Sequence, residues 1–123
     1  MNTWVWICVA LLGGGGALAR FALDGAIGSR APRASGFPLG TLAVNASGAL
    51  LLGLLTGAAL SGTALVLAGT ATLGSYTTFS TWMLESQRLT EEADVGGALL
   101  NILLSLTAGL AAAALGHTIG ARL

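Results

Sequence analysis

Four apolar stretches alternate with short polar ones along this chain, and each is long enough to cross a bilayer as a helix. The expected spans cover about 4–23, 39–60, 63–84 and 95–119. Trp4 and Trp6 open the first at the level where indoles favour a membrane interface. Residues 24–37 form a connector carrying Arg30, Pro32 and Arg33, and Pro38 is placed to begin the second helix. Ser61-Gly62 leaves almost no loop, which makes the second and third spans antiparallel neighbours. Glu91, Glu92 and Asp94 form a solvated connector before the fourth. The pattern reads as one all-α membrane domain over residues 1–123, with four transmembrane helices.

The third stretch departs from what lipid favours. Around its middle lies Gly74-Ser75-Tyr76-Thr77-Thr78-Phe79-Ser80-Thr81-Trp82, a glycine and five serine or threonine hydroxyls at membrane depth. Unsatisfied polar groups are costly in hydrocarbon, so such a patch must be packed in protein or face water or an ion. A helix broken near Gly74 to Thr78 is expected. Such a break frees carbonyls at the end of the first half and N–H groups at the start of the second, which suits a small ion. The carbonyls of Gly74 and Thr77 are the candidates for a small hard cation. The plainer alternative is that the hydroxyls bond back to their own helix or bridge to a neighbour.

Other polar positions stand out against the apolar background. Asn45 carries an amide that is costly against lipid and useful in a pore or as a clamp between helices. Thr41, Asn45 and Gly48 share a helical face, as do Asn101, Ser105 and Gly109, the latter reading equally as donor track or packing seam. Arg20 and Asp24 are spaced to pair near the end of the first span, where the arginine snorkels or serves an anion vestibule. Glu85 and Arg88 close the third helix as an i, i+3 pair. Phe79 and Trp82 share a face and could line an anion's path with their positive ring edges, or simply pack. Gly13-Gly14-Gly15-Gly16 lacks the Lys-Ser/Thr of a phosphate loop, so close helix packing explains it better, and Gly53 and Gly57 make a weak GxxxG pair.

Composition narrows the class. With 54% hydrophobic and 8% charged residues the chain falls far below the roughly one-quarter charge of soluble domains, so it is an integral membrane protein. Net charge is zero without a basic patch, which argues against nucleic acid. Cys8 reads as a small buried hydrophobe, and His117, at the far terminus, is a poor base for the serines, so an enzyme is not expected.

The residues Gly74 to Trp82 with Glu85, together with Gly40-Thr41-Leu42-Ala43-Val44-Asn45, Gly16-Ala17 and Arg20, resemble the CrcB, or Fluc, family of fluoride channels over most of the chain. The resemblance implies two subunits assembled antiparallel in the cell's inner (plasma) membrane, a dual-topology multi-pass homodimer. It implies a structural sodium ion at the dimer centre, matching the backbone carbonyls of Gly74 and Thr77, and fluoride pathways matching Asn45, Phe79 and Trp82. Thr41, Ser105, Thr78 and Ser80 would complete the polar track, with Arg20 at the vestibule. Three positions depart from the family's usual pattern: Trp82 for a phenylalanine, Asn101 for a tyrosine and Ser75 for a glycine. They raise the alternative of one subunit in a heterodimer with a related chain. Arg30, Arg33 and Arg88 against Arg122 give a small orientation bias, close enough to balance to keep the homodimer ahead. Fluoride is small and strongly hydrated, so a pore must replace its water with donors yet release it, and no residue within the spans could couple protons. A passive exporter of fluoride is expected. A small four-span multidrug transporter is the rival, but it needs an acidic residue within a span.

Overall fold

The computed structural model describes residues 2–31 and 36–123, so the expectations placed on Pro32 and Arg33 lie outside the described residues. Among those described, all regular structure is helical. Helix α1 covers Thr3–Gly28 and α2 Leu39–Gly57; then α3 (Gly62–Leu65), a π-helical stretch (Val66–Leu73) and α4 (Gly74–Tyr76) form one continuous run. After a non-helical interruption at Thr77 to Phe79 come α5 (Ser80–Glu91) and α6 (Val95–Gly120). Three helices, α1, α2 and α6, are long and apolar enough to cross a membrane. Their outward leucines, Leu11, Leu18 and Leu110 among them, are exposed in the isolated chain, a surface that lipid rather than water suits. The protein is a multi-pass membrane protein.

Boundaries shift from expectation for local reasons. Asn2 caps α1 by accepting from the Val5 N–H at 3.1 Å, and the helix continues past Leu23 to Gly28, so Asp24 is helical and not the start of a loop. At about 39 Å, α1 is longer than a hydrocarbon core. Helix α2 stops at Gly57, before the expected Leu60, where Ala59 takes a left-handed conformation with φ of 56°. Asp94 accepts from the Gly97 N–H at 2.8 Å and caps α6, so one member of the acidic connector has a specific task. Cys8 is exposed on α1 instead of buried.

Packing follows the glycines. Helix α2 lies most extensively along α6, and the π-helical stretch along α1. A Cβ added at Gly53 would meet the Ala113 carbonyl, and one at Gly57 the His117 carbonyl, so the GxxxG pair lets two backbones touch. These contacts advance together along both helices, which therefore run parallel. On α1 only Gly16 is tightly enclosed, against Ser75 Oγ and the Thr72 carbonyl, while Gly14 and Gly15 meet nothing within 4 Å. The π stretch is i→i+5 bonded, and Thr72 Oγ1 adds a bond in the same register to the Leu67 carbonyl at 2.8 Å.

Arg88 lies 3.6 Å from Glu85, as the i, i+3 spacing suggests, but α5 runs on to Glu91, so the pair sits within the helix and does not close it. Arg88 also lies 3.3 Å from Glu92 and donates to the Gly36 carbonyl at 2.8 Å. Its side chain is substantially exposed, so screening limits its value. Arg88→Ala is expected to cost less than about 1 kcal/mol, read as a shift of a few degrees or less in the thermal midpoint in detergent.

Candidate functional site

The site is built where the third run breaks. Gly74 remains helical, with φ of −63° and ψ of −35°, and the chain turns extended only at Thr77, with ψ of 161°. The interruption therefore lies at Thr77 to Phe79, toward the C-terminal side of the expected position. Asn45 explains it. In an unbroken helix the Thr78 N–H would return to the Gly74 carbonyl; here it donates to Asn45 Oδ1 at 2.8 Å. Asn45 Nδ2 in turn donates to the Thr78 carbonyl at 2.8 Å. One amide thus satisfies both main-chain groups of Thr78. The Gly74 carbonyl loses its helical donor as a result.

The hydroxyls of the motif divide by task. Ser75 Oγ donates back to the Ala71 and Thr72 carbonyls at 2.7 and 2.9 Å, and Thr77 Oγ1 to the Leu73 carbonyl at 3.0 Å. These two behave as the plainer alternative has it. Thr78 Oγ1 accepts from the Thr81 N–H at 3.2 Å and donates to Thr81 Oγ1 at 3.0 Å, capping the first turn of α5. Ser80 is exposed, its Oγ at 3.5 Å from Thr78 Oγ1.

Two concavities meet at Thr78. The larger, of about 610 Å³, has a polar end at Asn45, Thr77 and Thr78 beside Phe79 and Trp82, and an apolar end that includes Leu52 and Leu65; Gly74 also lines it. The Phe79 and Trp82 rings meet edge to face, centroids 5.7 Å apart at 84°, and Phe79 is 70% exposed on the open side. The smaller, of about 210 Å³, is lined by Arg20, Asp24, Thr41, Thr78 and Thr81. The face shared by Thr41, Asn45 and Gly48 is thus divided, with Thr41 in the small pocket and the other two in the groove. Ser105 lines neither; its hydroxyl points to Asn101 Oδ1 at 3.4 Å. Among the described residues no ion pair joins Arg20 to Asp24; Arg20 Nη1 donates instead to the Thr77 carbonyl at 3.3 Å, which turns the charge toward the break.

The groove's far wall was less legible. Trp82 Nε1 donates to the Asn101 carbonyl at 3.1 Å, so two of the positions that depart from the family pattern are in contact. Ser86, which sequence reasoning passed over, joins them by donating to the Trp82 carbonyl at 2.9 Å. Ser47 and Tyr76 hydroxyls also meet, at 2.8 Å, tying α2 to α4. Thr81 belongs to the hydroxyl run, and its helical distance from Thr78 was the available signal for it; Ser86 carried no such mark.

Comparison with known proteins gives the family. The family model described as CrcB-like protein, Camphor Resistance (CrcB), matches residues 7–117. The chain belongs to the CrcB family. This CrcB-family chain is 59% identical over 113 residues to the protein named Fluoride-specific ion channel FluC 2 of Mycolicibacterium paratuberculosis, covering 92% of this chain and 91% of the relative. It is 53% identical over 115 residues to the FluC 2 of Mycobacterium tuberculosis, covering 94% and 90%. To the Fluoride-specific ion channel FluC 1 of Symbiobacterium thermophilum it is 41% identical over 120 residues, covering 94% and 96%.

Proposed function

We propose that the protein is a passive, fluoride-selective channel of the inner (plasma) membrane that lets fluoride leave the cell, and that it works as an antiparallel dimer of four-span subunits. It is a channel and not an enzyme. The Asn45 clamp carries the reading: it opens a backbone at membrane depth and leaves polar groups beside the rings of Phe79 and Trp82 in one groove. The relatives named as fluoride-specific channels supply the ion. The parallel course of α2 and α6 supports a fourth crossing, because residues between them must bring the chain back across the membrane. The broken run is the segment available for that return.

Sodium fits the break in part. The Gly74 carbonyl has lost its helical donor, and the Thr77 carbonyl keeps a second lone pair beyond the one that faces Arg20. Two carbonyls per chain leave a hard cation under-coordinated, whereas a second copy across a two-fold axis would double the set. Bound there, sodium would supply positive charge between the two breaks. The protein's own groups do the rest: Arg20 draws anions toward the small pocket, and the second Nδ2 hydrogen of Asn45, left over from the clamp, and the ring edges replace lost water.

The test is the purified chain alone in liposomes, with fluoride efflux followed by electrode and chloride as control. Rapid fluoride-selective efflux is the expected result. A folded dimer that releases no fluoride overturns the self-sufficient channel and points to a second, complementary subunit.

A further inference from the structure

Trp82 differs from Phe79 in bulk and in carrying an N–H donor, and that donor is bonded to α6. Trp82 Nε1 donates to the Asn101 main-chain carbonyl at 3.1 Å. A buried polar circuit surrounds that bond. Asn101 Nδ2 donates to Ser86 Oγ at 2.9 Å and lies 3.5 Å from the Trp82 carbonyl, Ser86 Oγ donates to that same carbonyl at 2.9 Å, and Ser105 Oγ reaches Asn101 Oδ1 at 3.4 Å. Asn101 is 0% exposed and Ser86 is buried. An amide buried so completely is costly unless its partners are held in place, so the circuit constrains geometry strongly. What it constrains is the turn of α5 from Trp82 to Ser86 against α6.

We propose that Asn101, through Ser86, is a positioning residue of the groove: it holds α5 against α6 so that the Trp82 N–H stays bonded to α6 and the groove is offered an indole without a free donor. The consequence rests on the fluoride reading above. An indole N–H facing the path would give fluoride a strong, directional hydrogen bond, whereas a conducting path must bind weakly enough to release. Holding the donor aside lets a tryptophan occupy the ring position without becoming a trap.

The experiment uses the full chain with Trp4→Phe and Trp6→Phe, both exposed near the start of α1, so that Trp82 is the sole tryptophan and its emission is read with excitation selective for indole over Tyr76. In this parent, fluoride is expected to leave Trp82 emission unchanged and acrylamide to quench it weakly. Asn101→Leu, close in volume but without an amide, is expected to raise acrylamide quenching and make the emission respond to fluoride. Efflux should slow about tenfold, the scale of one lost hydrogen bond. In a Trp82→Phe background the same substitution should slow efflux by less than about twofold, because no donor is there to release. Equal slowing in both backgrounds overturns the proposal in favour of a general packing role. So does a parent whose emission already responds to fluoride. If the parent conducts no fluoride, the channel reading fails, while the acrylamide comparison still decides the positioning: equal quenching in parent and variant overturns it. Should Asn101→Leu not fold, Ser86→Ala breaks the same circuit at its smaller member and is read in the same way.

Discussion

Replacing Asn45 with leucine is expected to reduce fluoride efflux about a hundredfold. Leucine nearly matches the volume but removes both bonds to Thr78, at 2.8 Å each. Leaving a buried donor and acceptor unsatisfied costs about 1–3 kcal/mol apiece, and their sum of about 2–6 kcal/mol spans the roughly 2.7 kcal/mol that a hundredfold change represents. The broken geometry relaxes because the Thr78 N–H has another acceptor within reach of a small backbone rotation, the Gly74 carbonyl of an uninterrupted helix. Helix would then extend through the interruption and carry Phe79 and Trp82 around its axis. Asn45→Asp separates the two halves of the clamp. Its carboxylate still accepts from the Thr78 N–H, but it sets a negative oxygen against the Thr78 carbonyl and repels an approaching anion. Both variants should lose efflux, and the leucine variant should also show changed Trp82 emission. Efflux at the parent rate in Asn45→Leu would show that the clamp is dispensable for conduction.

Asn45 also shows how far sequence reasoning reaches. An amide within an apolar span is visibly out of place, so its importance was legible. Its partner was not, because a main-chain N–H and carbonyl carry no residue signature, and Thr78 lies 33 positions away. The position of the break was read slightly early for a related reason. Gly74 is the permissive residue, but it stays right-handed, and the bond it loses is taken by a side chain from another helix. For Ser75 and Thr77 local back-bonding was foreseeable from the hydroxyl alone, whereas Thr78 acts as a cap only because the chain is extended just before it. The π-helical turn had no visible signal in a row of small residues that an ordinary helix would also accept. Gly53 and Gly57 announced a close contact without announcing its partner. Short connectors make sequential spans adjacent in principle, yet α2 packs chiefly on α6, because α6 too presents glycines at the matching heights.

Those glycines carry the largest expected effect on stability. Gly116→Val is expected to abolish folding into a monodisperse protein, since a Cβ there would meet the Leu50 carbonyl and come within 2.9 Å of the Leu54 nitrogen. Both obstacles are backbone, so no rotamer change on α2 can make room, and two further carbons would follow the first. Overpacking a well-filled interior costs about 1–3 kcal/mol even where side chains can yield, and here the helices themselves must part. Parting them forfeits Gly53 against Ala113 and Gly120 against Leu54 as well, because all lie on one seam. Lipid is as apolar as the side chains it would replace, so no hydrophobic penalty holds the separated helices together. The loss also reaches the site, because Asn45 rides on α2 and must meet Thr78 from there. Gly109→Ala, on the same helix with nothing within 4 Å of the added Cβ, is the matched control. It should be neutral or stabilise by up to about 1 kcal/mol through helix propensity. Size-exclusion profiles and thermal midpoints of the two variants, purified side by side, read the difference directly. A Gly116→Val protein that elutes and melts like the parent would mean that α2 and α6 do not touch through their backbones.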